Sequence, residues 1–170
     1  DRMIQFAGVV LENKKIVDTY TTFINPEIPI SPFITELTGI SNEKVRNAPT
    51  FSEVADKILN LMDDAIFVAH NAHFDLTFLQ EELESEQFPI IHAPVIDTVE
   101  LTRILMPTLE SYKLSDIAMY AGFEHDRPHQ ADSDAFVTAE WFLSLLDKLE
   151  RLPIETILTL RDLSKYLKSD

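Results

Sequence analysis

Cysteine is absent from this 170-residue chain. That removes disulfides, thiolate zinc sites and cysteine nucleophiles, and it fits a reducing compartment. Basic residues are scarce: 14 Lys and Arg stand against 29 Asp and Glu, for a formal charge of −15, which argues against a histone-like or polybasic mode of nucleic-acid binding. No apolar run approaches about 18 residues, and no basic segment followed by an apolar one opens the chain, so neither a membrane span nor an export signal is predicted and a cytoplasmic location is expected. Only three glycines occur, and there is no Gly-x4-Gly-Lys-Ser/Thr phosphate loop. What is present is 45% hydrophobic content, enough for one domain with a sizeable core.

The pattern of apolar positions predicts an α/β order. Residues 3–11 and 15–24 read as two strands joined by the turn-like Glu12-Asn13-Lys14, an antiparallel hairpin. Ser31-Pro32 offers an N-cap with proline at the first helical position for a short helix ending near Thr38-Gly39. Thr50-Phe51-Ser52-Glu53 is a capping box, and Phe51, Val54, Ala55, Ile58, Leu59 and Met62 recur along one helical face.

Ala65-Ile66-Phe67-Val68-Ala69 reads as a buried strand that stops at the polar loop His70-Asn71-Ala72-His73, and helical spacing over residues 74–86 puts Asp75 in the first turn. Pro94-Val95-Ile96-Asp97 is again a short strand ending at a carboxylate. Helices follow over residues 98–105, 114–121 with Gly122 as its stop, 135–149 and 154–167. Phe136, Trp141, Phe142, Leu145 and Leu146 are assigned to packing, and the sheet is expected to be mixed.

Two polar clusters at strand and helix junctions carry the chemistry. The first is His70-Asn71-Ala72-His73-Phe74-Asp75, backed by Asp97-Thr98; the second is His129-Gln130-Ala131-Asp132-Ser133-Asp134. In this order, with a helix after each, they resemble the DnaQ-like 3′→5′ exonucleases of the DEDDh type. Leu37-Thr38-Gly39-Ile40 matches the segment that in that family lies near the 3′-terminal nucleotide. Lys113-Leu114-Ser115, and the tail from Leu152-Pro153 to Tyr166-Leu167-Lys168-Ser169-Asp170, are similar to the amino-terminal exonuclease domain of Gram-positive DinG-like helicase-nuclease proteins.

The resemblance implies a ribonuclease H-like fold with a five-stranded mixed sheet flanked by helices. It implies an exonuclease domain over residues 1–150 and a helical extension or linker over 151–170 leading to a following helicase domain in the same native chain. Phosphodiester hydrolysis would use two divalent ions, Mg²⁺ or Mn²⁺, about 3.5–4 Å apart on carboxylate oxygens. By the same likeness Asp75 and Asp134 hold metal, and His129 is the general base toward the attacking water. Asn71, Phe74, Thr38, Gly39 and Ile40 contact the substrate, and Asp97 and His70 support the site.

Single-stranded DNA is the expected substrate, with RNA as an option, and nucleoside 5′-monophosphates the products. The family's first motif, Asp-x-Glu on its first strand, is not found before residues 3–11, and a native segment carrying it is expected upstream. The rival readings are a polymerase proofreading subunit and a non-catalytic nucleic-acid-binding or docking module of the same fold. Asp132 is the expected N-cap of the long helix, and His73, His92 and His125 are expected on the surface.

Overall fold

The structure, a computed structural model, describes residues 2–164. Strands β1 (Gln5–Glu12) and β2 (Lys15–Phe23) form an antiparallel hairpin with a register irregularity between Val10 and Leu11. Its two-residue turn has positive φ at both Asn13 and Lys14 (50° and 63°), a turn whose twist suits the flanking strands. Helices α1 (Pro32–Thr38), α2 (Asn42–Val45) and α3 (Phe51–Met62) follow. Ser31 and Ser41 cap the first two through their side chains, and Thr50 with Glu53 forms the capping box of the third.

Next come β3 (Phe67–Ala69), α4 (Ala72–Ser85) and β4 (Val95–Asp97), in which β3 and β4 pair in parallel. The chain continues through α5 (Thr98–Leu105), α6 (Leu114–Ala121), α7 (Ala131–Glu150) and α8 (Ile154–Ser164). Gly122 ends α6 at φ 73°, a left-handed stop that glycine adopts without strain. None of the helices among the described residues is long and apolar enough to cross a membrane.

The largest core cluster joins Met3 and Ile24 beside the hairpin to Phe51, Val54, Ala55 and Ile58 of α3 and to Leu79 and Leu83 of α4. Ile30, Ile40 and Val45 make a second cluster, and Ile117, Trp141 and Leu145 a third that binds α6 to α7.

Several expectations change here. The sheet predicted as five-stranded is, among the described residues, two two-stranded sheets, because β1 pairs only with β2 and β3 only with β4. The strand at 65–69 is shortened to β3 and half-buried, with Ile66 exposed; it has a neighbour on one edge, and one edge is too little to cover both sides of it. The helix predicted at 135–149 begins four residues earlier, so Asp134 lies in its first turn and Gln130, not Asp132, is the N-cap. Phe136 is exposed rather than packed, while Trp141 and Leu145 are buried as expected. Tyr166-Leu167-Lys168-Ser169-Asp170 falls outside the described residues.

One buried ion holds the beginning of the described chain to α4. Glu82, 3% exposed, accepts from the Met3 backbone N–H at 2.8 Å and pairs with Arg2 Nε at 3.2 Å. Replacing Glu82 with Ala orphans a buried N–H and leaves Arg2 with Glu86 alone, 2.8 Å from its Nη2, and is expected to cost about 2–3 kcal/mol. A thermal melt should show Tm falling by roughly 5–10 °C; an unchanged Tm would mean that the pair contributes nothing.

Candidate active site

The site forms where the carboxyl ends of β3 and β4 meet the first turns of α4 and α7. Asn71, the α4 N-cap, takes the left-handed backbone (φ 69°) that asparagine tolerates, and this turns the chain sharply from strand to helix. Asp97 fixes that turn. Its Oδ1 accepts from Asn71 N at 3.1 Å and from Val99 N at 2.8 Å, and its Oδ2 from Ala72 N at 2.9 Å. One carboxylate therefore caps α5 and ties down the start of α4, so its lone pairs are largely committed to backbone.

His70 is a second fixed point. Its Nε2 donates to the Tyr112 carbonyl at 2.6 Å, and Nδ1 lies 2.8 Å from Thr98 Oγ1. Burial holds this imidazole below its ordinary pKa, against the raising influence of the Tyr112 carbonyl and of Asp97 and Asp134. A neutral ring with Nε2–H leaves Nδ1 as an acceptor facing the Thr98 hydroxyl, whose hydrogen is shared with the Ala69 carbonyl at 3.3 Å. Thr98 and Thr102 are fully buried; Thr102 Oγ1 donates to the Thr98 carbonyl at 2.5 Å and accepts from Trp141 Nε1 at 2.8 Å. A continuous polar path thus runs from the loop at His70 through α5 to α7, the helix that carries Asp134.

Asp75 has no such support. The residue as a whole is exposed, yet protein atoms crowd its carboxyl, and this desolvation pushes it up to about 6. A hydrogen bond from its own backbone pulls the other way, and the charges of Asp134 and Asp97 add to the rise. Asp75, Asp97 and Asp134 thus share one field, and among the described residues none of them pairs with Lys or Arg. No group of three His, Asp or Glu among the described residues closes into a complete metal cage. The donor set is nonetheless the hard-oxygen kind that divalent ions prefer, and its mutual repulsion is what a cation would relieve.

The second cluster is held from below by β1. Gln5 Oε1 accepts from Ala131 N at 2.9 Å and Gln5 Nε2 donates to Asp132 Oδ1 at 3.4 Å, while Arg127 Nη2 donates to Asp132 Oδ2 at 2.6 Å. Asp132 is therefore a tie between loop and strand. His129 stands just before this start, exposed, at φ 67°, and its side chain makes no hydrogen bond among the described residues. A left-handed non-glycine residue beside a carboxylate cluster is the kind of local strain that gathers at functional sites.

His125 is not on the surface as expected. Its side chain is 8% exposed and its Nε2 lies 2.6 Å from Asp134 Oδ1. The loop folds back over the first turn of α7, which spacing along the chain could not show.

The expected substrate segment lies close by. A Cβ added to Gly39 (φ 71°) would stand 3.5 Å from Gln130 Nε2, so the end of α1 abuts the loop after His129. Within the segment the roles divide. Thr38 Oγ1 is occupied between the Ile34 carbonyl and the Ile40 N–H, and the Ile40 side chain, 1% exposed, is built into the core. The Ile40 side chain is therefore closed off from any nucleotide, and Gly39 is the open part of this segment. Phe74 is 68% exposed on α4, one position from Asp75. A cavity of about 580 Å³ opens beside Asn71 and Asp97, with Arg103 and Tyr112 on its wall.

A family model for exonucleases of the RNase T kind matches residues 1–142. The chain belongs to this exonuclease family. It is 47% identical over 170 residues to the 3′-5′ exonuclease DinG of Bacillus subtilis (strain 168), covering 100% of this chain and 18% of that protein. To the PolC-type DNA polymerase III of Caldanaerobacter subterraneus subsp. tengcongensis it is 41% identical over 157 residues, 92% of this chain and 11% of that one. The chain thus spans less than a fifth of the length of these curated relatives.

Among solved structures, Exonuclease X in complex with 5′ overhanging duplex DNA superposes with a TM-score of 0.70 at 22% identity, over 94% of this chain and 90% of that chain. The nuclease domain of 3′hExo, a DEDDh family member bound to rAMP, gives 0.73 at 24%, over 85% and 80%. These likenesses establish an exonuclease, ribonuclease H-like α/β fold.

The reading from sequence missed Gln5, Tyr112 and Arg127, and named Thr98 without giving it a role. Only Gln5 left a signal, a polar residue inside an apolar strand pattern; the others act through contacts made by folding.

Proposed function

We propose that this exonuclease-family chain acts in the 3′→5′ direction on single-stranded DNA ends and releases nucleoside 5′-monophosphates, with two Mg²⁺ or Mn²⁺ ions bound. The observation that carries the reading is the juxtaposition of Asp75, Asp134 and Asp97, which no Lys or Arg among the described residues neutralises; crowding by protein atoms, with the charges of Asp134 and Asp97 adding to it, pushes Asp75 up to about 6. Asp75 and Asp134 would hold the ions. When bound, these neutralise phosphate charge, ready a water for attack and stabilise the leaving 3′-oxygen. His129, exposed and without a hydrogen-bond partner among the described residues, takes the proton from the attacking water. Gly39, Asn71 and Phe74 seat the terminal nucleotide, and Asp97 and His70 hold the strand ends in place.

Two further carboxylates are assigned to an Asp-x-Glu segment upstream in the native protein, running as a strand between the unpaired edges of β1 and β3. That these edges have no partner among the described residues supports the assignment. Residues 1–150 then form the exonuclease domain and 151–170 lead toward a helicase domain, as the DinG likeness suggests.

The test uses the natural full-length protein on single strands labelled at either end. With Mn²⁺, a 3′ label should appear at once as mononucleotide and a 5′ label should shorten stepwise, and EDTA should stop both. Release of a 5′-labelled mononucleotide first, or activity undiminished in EDTA, would overturn the proposal.

A further inference from the structure

We infer that His125 is a positioning residue for the exonuclease reaction, fixing the Asp134 carboxylate through Oδ1 so that Oδ2 is kept for the metal; this rests on the reading of Asp134 as a metal ligand. The bond is short, 2.6 Å between Nε2 and Oδ1, with the ring 8% and the carboxylate 34% exposed. The opposite ring atom, Nδ1, is buried and has no partner among the described residues.

That pattern separates positioning from packing. A buried, unpartnered ring nitrogen lowers stability, and a purely apolar ring would avoid it. Among the described residues the ring's one polar bond is the one to Asp134. Because Nδ1 faces no acceptor, the ring hydrogen belongs on Nε2, where it is donated to Oδ1. A half-exposed aspartate on the first turn of a helix otherwise samples several rotamers, and fixing it in advance removes that entropy from metal binding. His129 makes no such bond among the described residues, so the two histidines divide the work. His125 sets the ligand, and His129 is left free for the proton.

The experiment measures Mn²⁺ binding to the full-length protein by electron paramagnetic resonance, with no turnover involved. His125→Phe keeps a ring and removes the N–H; His125→Gln brings an amide N–H back toward Oδ1. Both are made in the native and Asp134→Asn backgrounds. The Phe variant should weaken Mn²⁺ binding roughly 10- to 100-fold, leave KM for DNA at saturating metal unchanged, and hold or raise the metal-free Tm because the orphaned Nδ1 is gone.

The Gln variant should recover most of the affinity, and in the Asp134→Asn background the Phe change should add nothing. Native or tighter Mn²⁺ affinity in His125→Phe overturns the inference, as does an equal loss in both backgrounds. Should His125→Phe fail to fold, His125→Leu answers the same comparison. If Asp134→Asn alone alters neither Mn²⁺ binding nor DNA cleavage, the proposed site itself is wrong; if it abolishes both while His125→Phe is silent, only the role of His125 falls.

Discussion

Replacing Asp134 with Asn is expected to lower exonuclease turnover by on the order of 10³-fold or more, because a lost carboxylate ligand forfeits several kcal/mol of charge stabilisation at about 1.36 kcal/mol per tenfold. The fold should survive. Asp134 is 34% exposed and its one side-chain partner among the described residues is His125, while α7 is anchored elsewhere, by Trp141 on Thr102 and by Gln5 on Ala131. The amide keeps the shape and removes the charge, so the loss reads the charge. His129→Ala should reduce turnover by about 10²–10⁴-fold, the range for a lost general base, and leave metal binding unchanged. Single-turnover kinetics on a labelled strand, with a parallel Mn²⁺ titration, separates the two. Near-native rates in both variants would remove Asp134 and His129 from the chemistry.

Asp75→Asn should move activity and stability in opposite directions. Activity falls as for Asp134, since the same kind of ligand is lost. Stability of the metal-free protein rises, and the sign follows from linkage. Asp75 sits at about 6 in the folded chain, above the ordinary aspartate value of 3.8, so the folded state holds its proton more tightly than the unfolded state does. Above pH 6 the charged carboxylate therefore opposes folding; as pH falls from about 6 toward 4 the opposition fades.

The gain from Asn is thus largest at pH 7–8 and vanishes near pH 4. Solvent screening at this exposed residue limits it to about 1 kcal/mol, a Tm increase of roughly 2–4 °C. Adding Mn²⁺ should raise the Tm of the native protein by mass action, a gain of about 2.7 kcal/mol at a hundred times Kd, and the variant should lose most of that response. Calorimetric scans at pH 8 and pH 5, with and without Mn²⁺, check all three arms. A variant less stable than native at pH 8 without metal would show that Asp75 is not electrostatically frustrated.

Much of the local structure was legible because its causes are local. The caps at Ser31 and Thr50, the stops at Gly39 and Gly122, and the turn at Asn13-Lys14 each depend on residues within a few positions. The start of α7 was misplaced because Gln130 is a weak cap in isolation; Gln5, far off in sequence, supplies the acceptor for Ala131 N. Ile40 was placed near the nucleotide because Leu37-Thr38-Gly39-Ile40 matches the segment that lies there in the family it resembles, and only packing against Ile30 and Val45 shows its side chain to be core.

The sequence by itself determined which residues could do the chemistry: three aspartates at strand and helix junctions, a histidine five positions before the last of them, and hardly any basic side chains to quench their charge. Residue type and spacing suffice for that, because a helix or strand end presents its side chains by short-range geometry. Tertiary structure decided how those residues are held. It spent Asp97 on backbone N–H groups, left Asp75 unsupported in the field of Asp134 and Asp97, and turned His125 from an expected surface residue into the partner of Asp134. Such outcomes depend on distances between residues remote along the chain and on local exclusion of water, quantities that exist only once the chain has folded.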